Sequence, residues 1–224
     1  MKTFIVIAAY NEGKSIANVI KSLKKEGYSN IVVVDDGSKD NTYEVCKKEN
    51  VIALQHSINR GQGAALKTGI DYALQNGAEI IVTFDADGQH RADEIKRLTA
   101  PIEKGEAEVT LGSRFLDKKT QVPFFKKLTL KAGIIFTRIF SGIKLTDTHN
   151  GFRAFSRKAA EKIQITQDRM EHASEIIDEI ARKHIKFREV PVTIVYSEYS
   201  MAKGQSIFNS LKIASKFLLH KLTR

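Results

Sequence analysis

Two hydrophobic patterns alternate through the first half of the chain. Short runs rich in Val and Ile, namely Thr3–Ala8, Ile31–Asp35, Val51–Gln55, Ile80–Phe84 and Glu108–Gly112, are bounded by turn residues and predict strands. Between them, residues about 13–26, 40–49, 62–75 and 91–103 predict helices, with Ile16, Val19, Ile20 and Leu23 forming the apolar stripe of the first. Strands alternating with helices predict an α/β fold whose mostly parallel central sheet is flanked by helices. In such sheets ligands bind beyond the carboxyl ends of the strands, so the residues just after each strand carry the functional question.

The second half is less regular. Residues about 124–141 predict a helix in which Lys126, Lys127, Lys131 and Arg138 interrupt Phe124, Phe125, Leu128, Ile135 and Ile139. Phe152–Phe155 and Phe187–Val195 predict strands, and residues about 171–184 a helix. From Ser206 onward Ile207, Leu211, Ala214, Leu218 and Leu222 recur at helical spacing, decorated by Lys212, Lys216, Lys221 and Arg224. There is no repeat, low-complexity tract or clear linker, so one domain is expected over 1–224.

Composition changes this picture little. Hydrophobic content is 42% and charged content 28%, ordinary for a globular protein. Cys46 is the single cysteine, which excludes an intramolecular disulfide and fits a reducing compartment. The apolar stretch at the N-terminus is too short for a signal peptide, and no window approaches the ~18 apolar residues of a membrane span. The expectation is a cytoplasmic protein without its own anchor.

Charge changes it more. The net +10 is uneven: residues 1–114 hold 15 Lys/Arg against 16 Asp/Glu, and residues 115–224 hold 21 against 10. A solvated basic surface accounts for such a bias, and so does an anionic partner: phosphate groups, an acidic membrane face or nucleic acid. Zinc-finger spacing, an aromatic RNA-binding motif and a helix-turn-helix are all missing, which argues against nucleic acid. The basic segments at 124–141 and 206–224 suit a peripheral position on an anionic membrane, or contact with a membrane-protein partner. A core-facing helix or a homodimer fits the same stripes.

Every one of the first five strands ends in polar, charged or glycine residues. These are Tyr10-Asn11-Glu12, Asp35-Asp36-Gly37-Ser38, His56 with Asn59-Arg60-Gly61-Gln62-Gly63, Asp85-Ala86-Asp87-Gly88-Gln89-His90, and Gly112-Ser113-Arg114. In Asp85-Ala86-Asp87 two carboxylates two residues apart converge on one hard divalent cation, Mg²⁺ or Mn²⁺, which keeps positions open for substrate phosphates; Gln89 adds a carbonyl oxygen. A turn that merely stops the strand has the same composition. Asp36 either caps the helix starting near Asp40 or accepts hydrogen bonds from the ribose or base of a nucleotide. Gly61-x-Gly63 at a helix start is similar to a phosphate-cradling loop, but the full dinucleotide-binding glycine pattern is absent. His90 and His172 read as structural hydrogen-bonding groups.

Ala8-Ala9-Tyr10-Asn11-Glu12, Val34 through Thr42 and Asp85-Ala86-Asp87-Gly88-Gln89-His90 resemble the inverting family-2 glycosyltransferases of GT-A fold. Asn59 through Ala65, Gly112-Ser113-Arg114-Phe115 and Asn150-Gly151-Phe152-Arg153-Ala154-Phe155 fit the branch containing dolichyl-phosphate mannose synthases and polyprenyl-phosphate glucosyltransferases. The resemblance covers about residues 1–195.

It implies a metal-dependent hexosyltransferase using a GDP- or UDP-linked sugar. Residues 1–114 would form the nucleotide-sugar half, 115–205 the acceptor half and 206–224 a basic C-terminal helix. Tyr10, Glu12 and Asp36 would hold the nucleoside, with Ala8, Gly63 and Ala86 lining the donor site. Asp85 and Asp87, completed by Gln89, would hold the metal against the donor diphosphate. Arg114 and Arg153 would face phosphate. Where mannose synthases carry a basic glycine-containing motif, this chain has Tyr199 through Ser206, and Lys203 there would meet the diphosphate.

The acceptor is either a lipid phosphate or a sugar hydroxyl in a glycan. A hydroxyl needs a carboxylate base, for which Glu175 is the candidate and Asp147 the alternative. A lipid phosphate needs none, and Arg114, Arg153 and Lys131 would then matter more. A nucleotidyltransferase also uses paired carboxylates with Mg²⁺, but its basic glycine-rich signature is missing near the first strand. The intact Asp85, Asp87 and Gln89 argue against a non-catalytic nucleotide-sugar-binding or membrane-adaptor protein.

Overall fold

The computed structural model describes residues 1–117, 120, 124–148 and 150–196. Its strands are β1 (Thr3–Ala9), β2 (Ile31–Asp35), β3 (Ile52–Gln55), β4 (Ile80–Asp85), β5 (Val109–Ser113), β6 (Arg153–Ser156) and β7 (Phe187–Pro191). Its helices are α1 (Ile16–Lys25), α2 (Thr42–Lys48), α3 (Gln62–Gln75), α4 (Ile95–Glu103), α5 (Phe124–Ser141), α6 (Arg157–Lys162) and α7 (His172–Arg182). A 3-10 turn at Ala92–Glu94 leads into α4.

The seven strands form one sheet in the order β3-β2-β1-β4-β6-β5-β7. β1, β2, β3 and β4 run parallel, as do β5 and β7; β6 is antiparallel to both β4 and β5. This is the expected α/β architecture. The inner strands are near-continuous Val/Ile runs because both faces are covered: all five residues of β2 are buried. One apolar layer unites Ile5, Ile7, Ile20, Leu23, Val33, Phe84 and Phe152. The layer on the opposite side unites Phe4, Val6, Val34, Ile70, Ile81 and Ile176.

Two elements depart from the sequence reading. α6 has no counterpart in it, although Ser156 caps the helix by accepting the Ala159 N–H at 3.2 Å. β7 ends at Pro191 rather than Val195. After Val192 N–H donates to Ser113 O at 3.0 Å, the chain leaves the ladder. Thr193 then bonds the Glu94 carboxylate at 2.7 Å, and Val195 N–H reaches Gln89 O at 3.0 Å. Residues 192–196 are thereby laid along the strand ends instead of extending the sheet. The predicted helix from Ser206 lies outside the described residues.

Candidate active site

Register brings the first and fourth strand ends together. Ala8 pairs with Asp85 and Ala9 with Asp35, so the segments after β1, β2 and β4 leave the sheet side by side. The first two are then tied to each other. Ser38 Oγ accepts the Asn11 N–H at 2.8 Å, Asn11 Oδ1 accepts the Lys39 N–H at 2.8 Å, and Thr42 Oγ1 accepts the Glu12 N–H at 2.8 Å. Asp40 serves the start of α2, accepting from Thr42 N–H at 3.0 Å, and also holds Gly13 N–H at 3.0 Å. Tyr10 stands out of this frame, 41% exposed, while Glu12 is buried and accepts a hydrogen bond from Ser15 Oγ at 2.6 Å.

Asp85 and Asp87 sit at the rim of β4, half-buried, with Ala86 buried between them. Asp87 Oδ1 accepts the Gln89 N–H at 3.0 Å, which fixes the turn. His90 lies beneath, stacked on Phe152 at 4.8 Å and edge-on to Phe84 at 5.3 Å. Its Nδ1 accepts the Asp85 N–H at 3.1 Å, and burial pushes its ring below its ordinary value, so the ring is neutral at pH 7. Burial also raises the Asp85 carboxyl to about 6, against the opposing pull of Arg153 and Arg114; Glu12 pushes the same way as burial. Asp87 is raised first by burial and then by Asp85. The rim is thus an acidic spot with two arginines behind it. On one side Gly151 presses against it: a Cβ there would lie 2.9 Å from Asp85 Oδ1. Among the described residues no group of three or more His, Cys, Asp or Glu side chains gathers. A carboxylate pair alone suits Mg²⁺ or Mn²⁺, which leave several positions to water and phosphate.

Several predicted site residues have their functional groups elsewhere. Asp36 is 2% exposed, and its carboxylate holds the Arg60 N–H at 3.0 Å, the Gly61 N–H at 2.6 Å and His56 Nδ1 at 2.7 Å. It orders the approach to α3, and neither caps α2 nor turns its carboxylate outward. Gly63 packs against protein: a Cβ there would fall 2.0 Å from Gln167 O, and Ala64 N–H donates to Asp168 O at 3.0 Å. The start of α3 is closed by the 167–169 segment.

Glu175 also faces inward. It is 1% exposed and accepts the Thr166 and Gln167 amides at 3.0 and 2.9 Å, so it anchors a loop and offers no accessible base. Arg153 is buried as well. Its guanidinium donates to the carbonyls of Asn150 at 3.0 Å and Ala173 at 3.2 Å, and burial lowers its pKa to about 10. It supports the site from behind and does not present a fork to phosphate.

Asp147 Oδ2 accepts Arg114 Nε at 2.6 Å, and Arg114 Nη1 donates to Tyr196 Oη at 3.0 Å. Asp147 is therefore occupied by an arginine rather than poised as a base. Lys131 is exposed on α5. Lys203 lies outside the described residues. Sequence reasoning missed Gly151 and Tyr196. Gly151 lies in the Asn150–Phe155 motif, whose sequence does not show its contact with Asp85, and Tyr196 has no local signal, because only the tertiary fold brings it to Arg114.

The family model described as Glycosyl transferase family 2 matches residues 4–164. The chain belongs to this family. As a family-2 glycosyltransferase it is 43% identical to an uncharacterized protein of Methanocaldococcus jannaschii, over 98% of this chain and 92% of the relative. It is 38% identical to the UDP-N-acetylglucosamine–dolichyl-phosphate N-acetylglucosaminyltransferase of Methanococcus voltae, over 98% of this chain and 96% of the relative. Among solved structures, glucosyl-3-phosphoglycerate synthase from Mycobacterium tuberculosis, in complex with Mn²⁺ and UDP-glucose, aligns with a TM-score of 0.76 at 16% identity. That alignment covers 99% of this chain and 78% of the synthase. It shows a shared GT-A fold. This glycosyltransferase is therefore an enzyme of sugar transfer whose relatives include polyprenyl-phosphate sugar transferases. No helix among its described residues is long and apolar enough to cross a membrane.

Proposed function

We propose that this glycosyltransferase moves a hexose-type sugar from a nucleoside diphosphate to a polyprenyl or dolichyl phosphate, with inversion at the anomeric carbon. The observation that carries the acceptor reading is the state of the two carboxylates nominated as bases. Glu175 is enclosed by loop amides and Asp147 by Arg114. Neither is open to a sugar hydroxyl, whereas a phosphate acceptor is already anionic and attacks without one. The acceptor named for the Methanococcus voltae relative is of this kind.

The residues at the strand ends divide the work. Tyr10 and Glu12, held by the 38–42 segment, flank the nucleoside. Asp85 and Asp87 supply a pair of hard oxygen donors, and Gly151 leaves the Asp85 carboxylate unobstructed; Gln89 completes the set. This donor set fits Mg²⁺ or Mn²⁺, which when bound neutralises the departing diphosphate. Arg114, oriented by Asp147 and Tyr196, sets a fixed positive charge beside the reacting phosphates. Lys203 is proposed as a further diphosphate contact.

The test is a panel of UDP- and GDP-sugars with Mg²⁺ or Mn²⁺ and a short-chain polyprenyl phosphate, read by nucleoside diphosphate release and by the glycolipid formed. Asp87→Ala should abolish both. Full activity in that variant would remove the carboxylate pair from the mechanism. Transfer to a free sugar in preference to the lipid phosphate would overturn the acceptor.

A further inference from the structure

α5 has two apolar faces. Leu130 and Thr137 are buried beneath it, where the helix meets the body of the protein. Leu128, Ile135 and Ile139 are 62%, 61% and 69% exposed. At about 3.6 residues per turn these three fall on one stripe, on the side away from Leu130 and Thr137. A row of outward aliphatic side chains on a helix is not accounted for by folding, because folding leaves it wet.

The charges on α5 have one sign. The helix contains no Asp or Glu, and Lys127, Lys131 and Arg138 are exposed along one flank of the stripe. Aliphatic residues beside basic ones, with no acid, are complementary to an anionic lipid surface. They are poorly suited to a second copy of this chain, which would meet them with the same cations. The place of the helix also matters. α5 lies in the segment between Arg114 and Asp147, whose contact closes that segment at the site.

We propose that α5 docks this glycosyltransferase on an anionic bilayer, lying in the headgroup plane with Leu128, Ile135 and Ile139 at the acyl boundary. Lys127, Lys131 and Arg138 then rest on lipid phosphates. The inference deepens the reading of a lipid-phosphate acceptor and rests on it for its purpose: docking brings the Arg114 end of the site to the surface where that acceptor resides. Lys131 becomes a headgroup contact rather than part of the reacting centre.

The full chain is sedimented with phosphatidylcholine vesicles, with and without phosphatidylserine, in the absence of donor and acceptor. Binding is expected with phosphatidylserine and should weaken as salt rises. A variant combining Leu128→Gln, Ile135→Gln and Ile139→Gln should keep its thermal midpoint and lose roughly tenfold or more in vesicle affinity. Because Cys46 is buried, an Ile135→Cys variant accepts a nitrobenzoxadiazole label at one exposed site, and its emission should shift blue on the same vesicles. Wild-type protein left in the supernatant, a triple variant bound as well as wild type, or a label unchanged on vesicle-bound protein would each overturn the docking. Transfer to short-chain polyprenyl phosphate in detergent separates the two readings. If that transfer proceeds while docking fails, only the docking falls; if docking holds and no polyprenyl phosphate accepts sugar, only the acceptor reading falls.

Discussion

Asp147 Oδ2 accepts two hydrogen bonds from Arg114, one from its amide at 3.1 Å and one from its Nε at 2.6 Å. Both side chains are buried, so the pair joins the end of β5 to the segment that follows α5. Removing one partner leaves the other charge buried and alone. Asp147→Ala is expected to lower stability by about 3–5 kcal/mol in urea unfolding. Asp147→Asn keeps an oxygen for the amide and should lose less. A loss under about 1 kcal/mol for the alanine variant would mean that the pair behaves as a solvated one.

Glu175→Gln separates a loop anchor from a base. The Thr166 and Gln167 amides share Oε2, which a glutamine oxygen can replace, but an NH₂ then stands where Oε1 accepts from the Thr166 hydroxyl and the charge on those bonds is lost, so thermal unfolding should show a loss of about 1–3 kcal/mol. At a temperature where the variant is folded, kcat should stay near the wild-type value. Loss of a general base would instead cost about 10²–10⁴-fold, a gap large enough for a single turnover assay to decide.

Gly151→Ala places a methyl group 2.9 Å from Asp85 Oδ1, closer than real side chains stand. The carboxylate must turn aside. The expected outcome is a rise of about tenfold in the Mn²⁺ concentration that half-activates transfer, with saturating-metal kcat less affected. A titration of rate against Mn²⁺ checks it, and an unchanged half-activating concentration would show that Asp85 does not face the ion.

His172 predicts how stability responds to acid. Burial, helped by Arg153, lowers its imidazole to about 4, while Nδ1 contacts Arg169 O at 2.6 Å. The unfolded chain binds this proton near pH 6.5, the folded protein only near 4. Between those values the unfolded state holds more protons, so stability falls as pH drops through the window. From pH 7 to pH 5 the loss from this residue should be about 1–2 kcal/mol. Urea unfolding of wild type and His172→Gln at both pH values measures it; the variant should show the shallower slope.

The first half of the fold was readable because its physics is local. A parallel strand buried on both faces has to be an apolar run, and the Ile16–Leu23 stripe has to recur at helical spacing. The second half depends on partners far along the chain. β6 is a four-residue strand between β4 and β5, and nothing in Arg153–Ser156 announces an antiparallel pairing with both. α6 is six residues long with two buried alanines, too brief for a periodic signal. Pro191 marks where the last strand stops, yet the apolar residues beyond it read as more strand until Glu94 and Gln89 are seen to hold them.

The site divides along the same line. Asp85 and Asp87 were legible because a strand end and a spacing of two put both carboxylates on one rim. Asp36, Glu175 and Arg153 were legible as polar groups but not in direction. Composition reports that a charge exists; only the fold reports that Gly61, Thr166 or Asn150 waits for it. In each of these three the polar group satisfies backbone that would otherwise be buried without a partner.

The reversed strand has an architectural consequence. Because β6 runs against its neighbours, it contributes its beginning to the substrate side and its exit to the opposite edge. The stretch that delivers Asn150 and Gly151 is thereby decoupled from the Ser156–Arg157 joint into α6. Substitutions at that far joint, where Ser156 caps α6 and Arg157 N–H donates to Glu79 O, should act on stability and leave turnover intact, while a one-residue change in length ahead of β6 would displace the wall against which Asp85 rests.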